Sequence, residues 1–205
     1  MNKHTTEATN DLRPISIYVS YAWDKDDSGQ VKNPRSGDRW KSLRELIKSV
    51  TKEVEKRNLK KPGARVLDIR IARLRARHGM FLLQSIKERI EHSDILVMDI
   101  GDRVNSRFNE NVLIELGIAI GNDKIDKRNL YILKPSKLIG PSDLQGILYS
   151  DYTSSDKAEL QLADLAGFRA ALRNSIEEIA TERGMIGLPK DATVEVEDEK
   201  EISVN

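Results

Sequence analysis

The stretch SDILVMDIGDRVNSRFNENVLIELGIAIG, Ser93–Gly121, decides the fold. Its first part, Asp94–Ile100, is a continuous apolar run with acidic ends, the pattern of a central parallel strand covered on both faces. Its last part, Asn111–Ile120, reads as a helix, with Asn109 or Asn111 as N-cap and Gly121 as the stop. One carboxylate, Glu115, interrupts that apolar segment between Ile114 and Leu116. A buried strand, a polar loop and a helix make half of a βαβ unit, so the flanking sequence should repeat the alternation.

It does so in both directions. Upstream, Ile15–Ser20 is β-branched and aromatic, bounded by Pro14 and a polar loop, and reads as a buried first strand. Trp40–Asn58 places Leu43, Leu46, Ile47, Val50 and Val54 at helical spacing. After the break KKPGA, Arg65–Ile71 forms a second strand, and Gly79–His92 sets Phe81, Leu82, Ile86 and Ile90 on one helix face. Downstream, Asn129–Lys134 is a fourth strand and a short fifth falls near Ile147–Tyr149. Ser155–Arg183 is a long closing helix in one or two pieces. The sum predicts an open, mostly parallel α/β sheet of about five strands with helices on both faces, in which ligands bind beyond the carboxyl ends of the strands.

The 205 residues suit one domain, predicted over residues 15–187, with a polar leader at 1–14 and an acidic tail at 188–205. A net charge of +1, with 33% charged residues, gives the whole molecule no field to recruit nucleic acid or membrane. The absence of cysteine excludes disulfides, thiolate metal sites and a cysteine nucleophile. His4, His78 and His92 lack metal-ligand spacing, so no metal site is expected. No glycine-rich phosphate loop and no GxSxG elbow occurs. Neither a signal peptide nor a run of roughly 18 apolar residues is present, so the expectation is a cytoplasmic protein without a membrane partner.

Basic residues concentrate between Lys56 and Arg77 against a single acid, Asp68. Such a run is ordinarily a solvated face; its functional alternative is phosphate contact, for example at Arg70 or Arg73, or nucleic acid along its length. No aromatic residue interleaves it, so stacking of single-stranded bases is not supported.

Glu115 falls near the start of its helix, immediately beyond the strand that closes with Asp99 and Ile100, where an open α/β sheet meets ligand. The helix dipole alone also favours a glutamate near a helix start. Asp99, Asn109, Asn111 and Glu115 nevertheless lie close together in sequence, and the apolar helix offers no evident partner for a buried charge. A carboxylate in a partly apolar pocket can act as nucleophile or stabilise a sugar cation as a glycosidic bond breaks, and asparagine amides can hold ribose hydroxyls. Tyr21 and Trp23, at the end of the first strand, are equally suited to core packing and to stacking on a base, whereas Tyr18, inside the strand, reads as core.

FNENVLIELGIAIG resembles the N-x-N-V-x-x-E-L-G-x-A signature of bacterial TIR-like (Toll/interleukin-receptor-like) nucleotide-binding domains, and more loosely a segment of nucleoside 2-deoxyribosyltransferases. ISIYVSYAWDKD resembles the first strand and loop of TIR domains. The resemblance spans residues 15–152 and is carried mainly by those two motifs. It implies a flavodoxin-like sheet, Glu115 as catalytic residue, and cleavage of an N-glycosidic bond, in TIR enzymes the one between nicotinamide and ribose of NAD. By position it assigns Asn109 and Asn111 to the motif's polar places and Ser20, Tyr21 and Asp24 to a loop near the nucleotide. Two features depart from these patterns: the loop between the first strand and the first helix is long and rich in charge, and the aspartate-glycine-threonine of the transferases is missing, which weakens a transferase assignment more than a TIR-like one.

The leading expectation is therefore an NAD glycohydrolase of antiphage defence or signalling. Asn111 and Asp99 would orient the ribose, Arg70 would hold a phosphate, and NAD would be substrate, with no cofactor required. Such enzymes assemble as homo-oligomers or through an activating partner. The alternatives are a non-catalytic TIR-like module that binds nucleotide and oligomerises, and a deoxyribosyltransferase-like enzyme.

Overall fold

A five-stranded parallel sheet runs through the centre of the computed structural model, which describes residues 13–21, 38–60, 67–72, 82–102, 107–138, 149–153 and 165–185. The elements are β1 (Ile15–Tyr21), α1 (Asp38–Asn58), β2 (Ile69–Ala72), α2 (Leu82–Glu91), β3 (Ile95–Asp99), β4 (Gly101–Asp102), β5 (Arg107–Phe108), α3 (Glu110–Ile120), β6 (Leu130–Pro135), β7 (Tyr149–Tyr152) and α4 (Ala166–Glu182). The strand order is β2-β1-β3-β6-β7, with every pairing parallel. Among the main strands this is the 2-1-3-4-5 order of flavodoxin-like sheets, whose switch point lies between β1 and β3.

Period-two alternation divides the strands between two cores. Ile17, Val19 and Tyr21 of β1, with Ile95 and Val97 of β3, pack under α1 and α4 against Leu43, Ile47, Phe168 and Leu172. Tyr18 of β1, with Leu96 and Met98 of β3, packs under α2 and α3 against Ile86, Ile90, Val112 and Leu116. Each fully buried aliphatic side chain contributes roughly 1.5–3 kcal/mol. Burial on both faces explains why Asp94–Ile100 reads as an unbroken apolar run rather than an alternating one.

The N-terminal edge of the sheet is tied down by charge. The Arg183 guanidinium, just beyond α4, pairs with Asp94 and reaches the carbonyls of Pro14 at 3.3 Å and Arg13 at 3.4 Å. The other Asp94 oxygen accepts from the Ser16 amide at 2.8 Å, so one carboxylate joins β1, β3 and the end of α4.

Several boundaries differ from expectation. The second strand is shorter, Ile69–Ala72, and the fifth lies at Tyr149–Tyr152, slightly later than expected. The closing helix is seen from Ala166 to Glu182, the first part of the expected span lying outside the described residues, as do the tail and most of the leader. The β4–β5 ribbon was not anticipated, because two-residue strands carry no periodicity. Gly101 begins that ribbon where a Cβ would stand 2.2 Å from Pro135 Cδ, so only glycine fits against the end of β6. Gly121 does stop α3, but in a right-handed conformation (φ −75°) rather than the left-handed one usual for a terminal glycine. Lys127 completes the end instead, its ammonium donating to the carbonyls of Ala119 (2.7 Å) and Asn122 (2.6 Å).

Candidate functional site

The site is assembled by the start of α3. Asn109 sits in extended conformation ahead of the helix, and its side-chain oxygen accepts from the Val112 amide at 3.1 Å, the N-cap bond. Its own amide donates to Ile100 O at 2.9 Å, locking the helix start to the end of β3. Asn109 is thus the N-cap of the two candidates. Asn111, also proposed as a ribose contact, is exposed and lies one turn before Glu115 on the same side of the helix.

Glu115 is the sixth residue of α3 and only 8% exposed. That is beyond the first turn, where the dipole acts, so a dipole preference does not account for it. The carboxylate instead faces β1. Tyr18 Oη donates to Glu115 Oε2 at 2.7 Å, a buried bond across 97 residues of sequence. Ser20, two residues on and on the same face of β1, is 4% exposed. Its hydroxyl lies close enough to favour the charged carboxylate but outside strict hydrogen-bond geometry, so the Tyr18 bond is the one that holds. Because α3 follows β3 and its carboxylate meets β1, Glu115 spans the switch point.

Burial raises the Glu115 pKa above the ordinary glutamate range, and the Ser20 and Tyr18 hydroxyls pull it partly back. Tyr18 is driven well above the usual phenol range, by burial first and by the adjacent Glu115 charge next, so it remains a protonated donor. A carboxylate so placed can stabilise a cation formed against it or accept a proton.

The other candidates are not gathered around it. Asp99 is fully buried, but alternation puts it on the α1/α4 face, with Tyr152 Oη donating to Asp99 Oδ1 at 2.7 Å. Asp99 and Glu115 thus lie on opposite faces of the sheet, each held by its own tyrosine. Tyr21 also belongs to the α1/α4 face, stacked on Trp40 with ring centroids 5.6 Å apart, which resolves its reading in favour of packing. Arg70 lies on the edge strand, its guanidinium 3.1 Å from Asp68 and largely exposed. Its register partner is Ser16, four residues and about 13 Å along the strand from Ser20. Lys56, Arg57 and Lys60 are likewise exposed. Trp23, Asp24 and Arg73 lie outside the described residues.

Tyr18 is the site residue that the sequence reading missed. The available signal was its parity with Ser20 on the strand, which places both side chains on one face. Tyr152 was missed as the partner of Asp99 because the pairing depends on the register of a strand 53 residues away.

A 2-1-3-4-5 sheet with a hydrogen-bonded buried glutamate at its switch point defines a flavodoxin-like α/β domain of the TIR-like kind. A family model for the CAP12/Pycsar effector protein, TIR domain, matches residues 47–154, just over half of the chain, and the chain belongs to that family. The matched span runs from within α1 through β7 and contains Glu115, while β1, with Tyr18 and Ser20, precedes it. No curated protein matches the chain. Among the described residues no helix is long and apolar enough to cross a membrane.

Proposed function

We propose that the chain is an N-glycosidase that cleaves the nicotinamide–ribose bond of NAD or a related nucleotide, acting as an effector of bacterial antiphage defence. The observation that carries this reading is the Glu115 carboxylate, buried at the β1/β3 switch point, held by Tyr18 and with its pKa raised. As the bond from the ribose carbon to the nicotinamide nitrogen breaks, its electron pair passes to the cationic ring, which leaves neutral. Positive charge moves to the ribosyl carbon and ring oxygen, and a nearby anion with little water around it stabilises that charge strongly. Water then adds to the carbon and gives up its proton, for which Glu115 is the available base. In this reading Asn111, exposed one turn earlier on the same helix side, meets a ribose hydroxyl. The family's effector description supports the defence role, with activation through assembly or a partner.

A second reading is favoured by the same hydrogen bond: a buried carboxylate already supplied with a donor can serve a nucleotide-binding and oligomerising module that performs no chemistry. Release of nicotinamide from NAD by concentrated full-length protein, wild type beside Glu115→Gln, separates the two. The glycosidase reading expects wild-type turnover reduced about 10³-fold or more in the variant. Equal release by both proteins would sink it, and none from either would leave the binding module and a missing activator as the two readings.

A further inference from the structure

We propose that Tyr18 is the positioning residue of Glu115: its phenol fixes Oε2, holds the carboxylate in one rotamer at the switch point, and leaves Oε1 to face the reacting carbon. This rests on the proposed glycosidase reading for its catalytic meaning, but the Tyr18–Glu115 coupling itself does not. Tyr18 is a wholly buried strand residue, and core packing is the ordinary reading of such a position. A phenylalanine would fill the same space, so packing alone does not require the hydroxyl. What the hydroxyl adds is a 2.7 Å bond to a carboxylate at 8% exposure, where each donor counts for more than at the surface. It also lies before the span matched by the family model, so the pair joins the matched region to a strand outside it.

The surroundings leave few other groups to take over this role. From β3, Met98 and Ile100 are apolar, and from α2, Ile86 and Ile90 are apolar while Arg89 acts on Tyr18 only through its charge. On β1, Ser20 lies beside the carboxylate without hydrogen-bond geometry, and Tyr21 belongs to the opposite face. On α3 itself Asn111 is exposed.

The test is Tyr18→Phe in the full chain, read in two independent ways. In protein labelled with ¹³C at glutamate carboxyls, the Glu115 resonance is identified by its loss in Glu115→Gln and titrated in wild type and Tyr18→Phe. Loss of the donor should raise its midpoint by about one pH unit. In turnover of NAD, the acid limb of the kcat profile should move up by the same interval and kcat at its optimum should fall about 10- to 100-fold, with KM nearly unchanged. An unshifted carboxyl midpoint overturns the inference whether or not NAD is cleaved, whereas absent wild-type turnover with a shifted midpoint counts only against the glycosidase reading. Should Tyr18→Phe not fold, the wild type still decides: the Tyr18 hydroxyl proton should be a protected downfield resonance that moves as Glu115 titrates, and one indifferent to that titration overturns the proposal.

Discussion

Glu115 carries a stability cost that its environment makes measurable. Its folded pKa is raised above the unfolded value, chiefly by burial, so Glu115 gives up its proton less readily in the folded protein than in the unfolded chain. The sign follows: the contribution is most favourable below the ordinary glutamate range, about pH 4.3, and is lost as pH rises through the folded value. Glu115→Gln abolishes this titration. Its melting temperature should therefore match or trail wild type near pH 4, rise relative to it through the folded pKa, and hold a constant advantage above; thermal unfolding across pH 4–8 checks this, and a difference independent of pH would refute it. At this scale the sequence was readable for Glu115, since one acid in an apolar helix stands out. It was not readable for Tyr18 or for the separation of Asp99 from Glu115, because both depend on which strands adjoin and in what register.

At the scale of the element, α3 depends on its cap. Asn109→Ala removes the acceptor for the Val112 amide and should cost about 1 kcal/mol, whereas Asn109→Asp, an equally good cap also favoured by the dipole, should stay near wild type. Urea unfolding of the two variants tests this, and equal losses in both would show that the amide, not the acceptor, matters. The helix and the strand before it were legible because long apolar segments with a cap signal announce themselves. The β4–β5 ribbon between them was not, and the end of α3 was legible in place but not in mechanism, because Lys127 reaches it from a later turn.

Across the whole molecule, the alternation of strands and helices made the parallel sheet legible, since crossover connections of that length leave few other topologies. The clamp at the opposite edge from the site was not, as it joins the carboxylate of Asp94 to a guanidinium 89 residues away. Arg183 is 9% exposed and Asp94 13%, so removing Arg183 leaves a carboxylate with little water and, as counter-charge, the more exposed Arg13 guanidinium at 3.7 Å. Arg183→Met should lower unfolding free energy by about 3 kcal/mol, and Asp94→Asn in the same chain should recover part of it. Denaturation of the single and double variants measures the coupling; strictly additive losses would show that the pair does not act as a unit.

The glycine that abuts Pro135 leaves no slack where the chain turns from β3 toward α3. Leu133 O accepts from the Ile100 amide, Ile100 O accepts from the Asn109 amide, and Asn109 caps the helix that carries Glu115. These links gear the end of β6 to the carboxylate as a rod is geared to a crank. The position of Glu115 against Tyr18 is thereby set from the far side of β3, by contacts the carboxylate does not itself make.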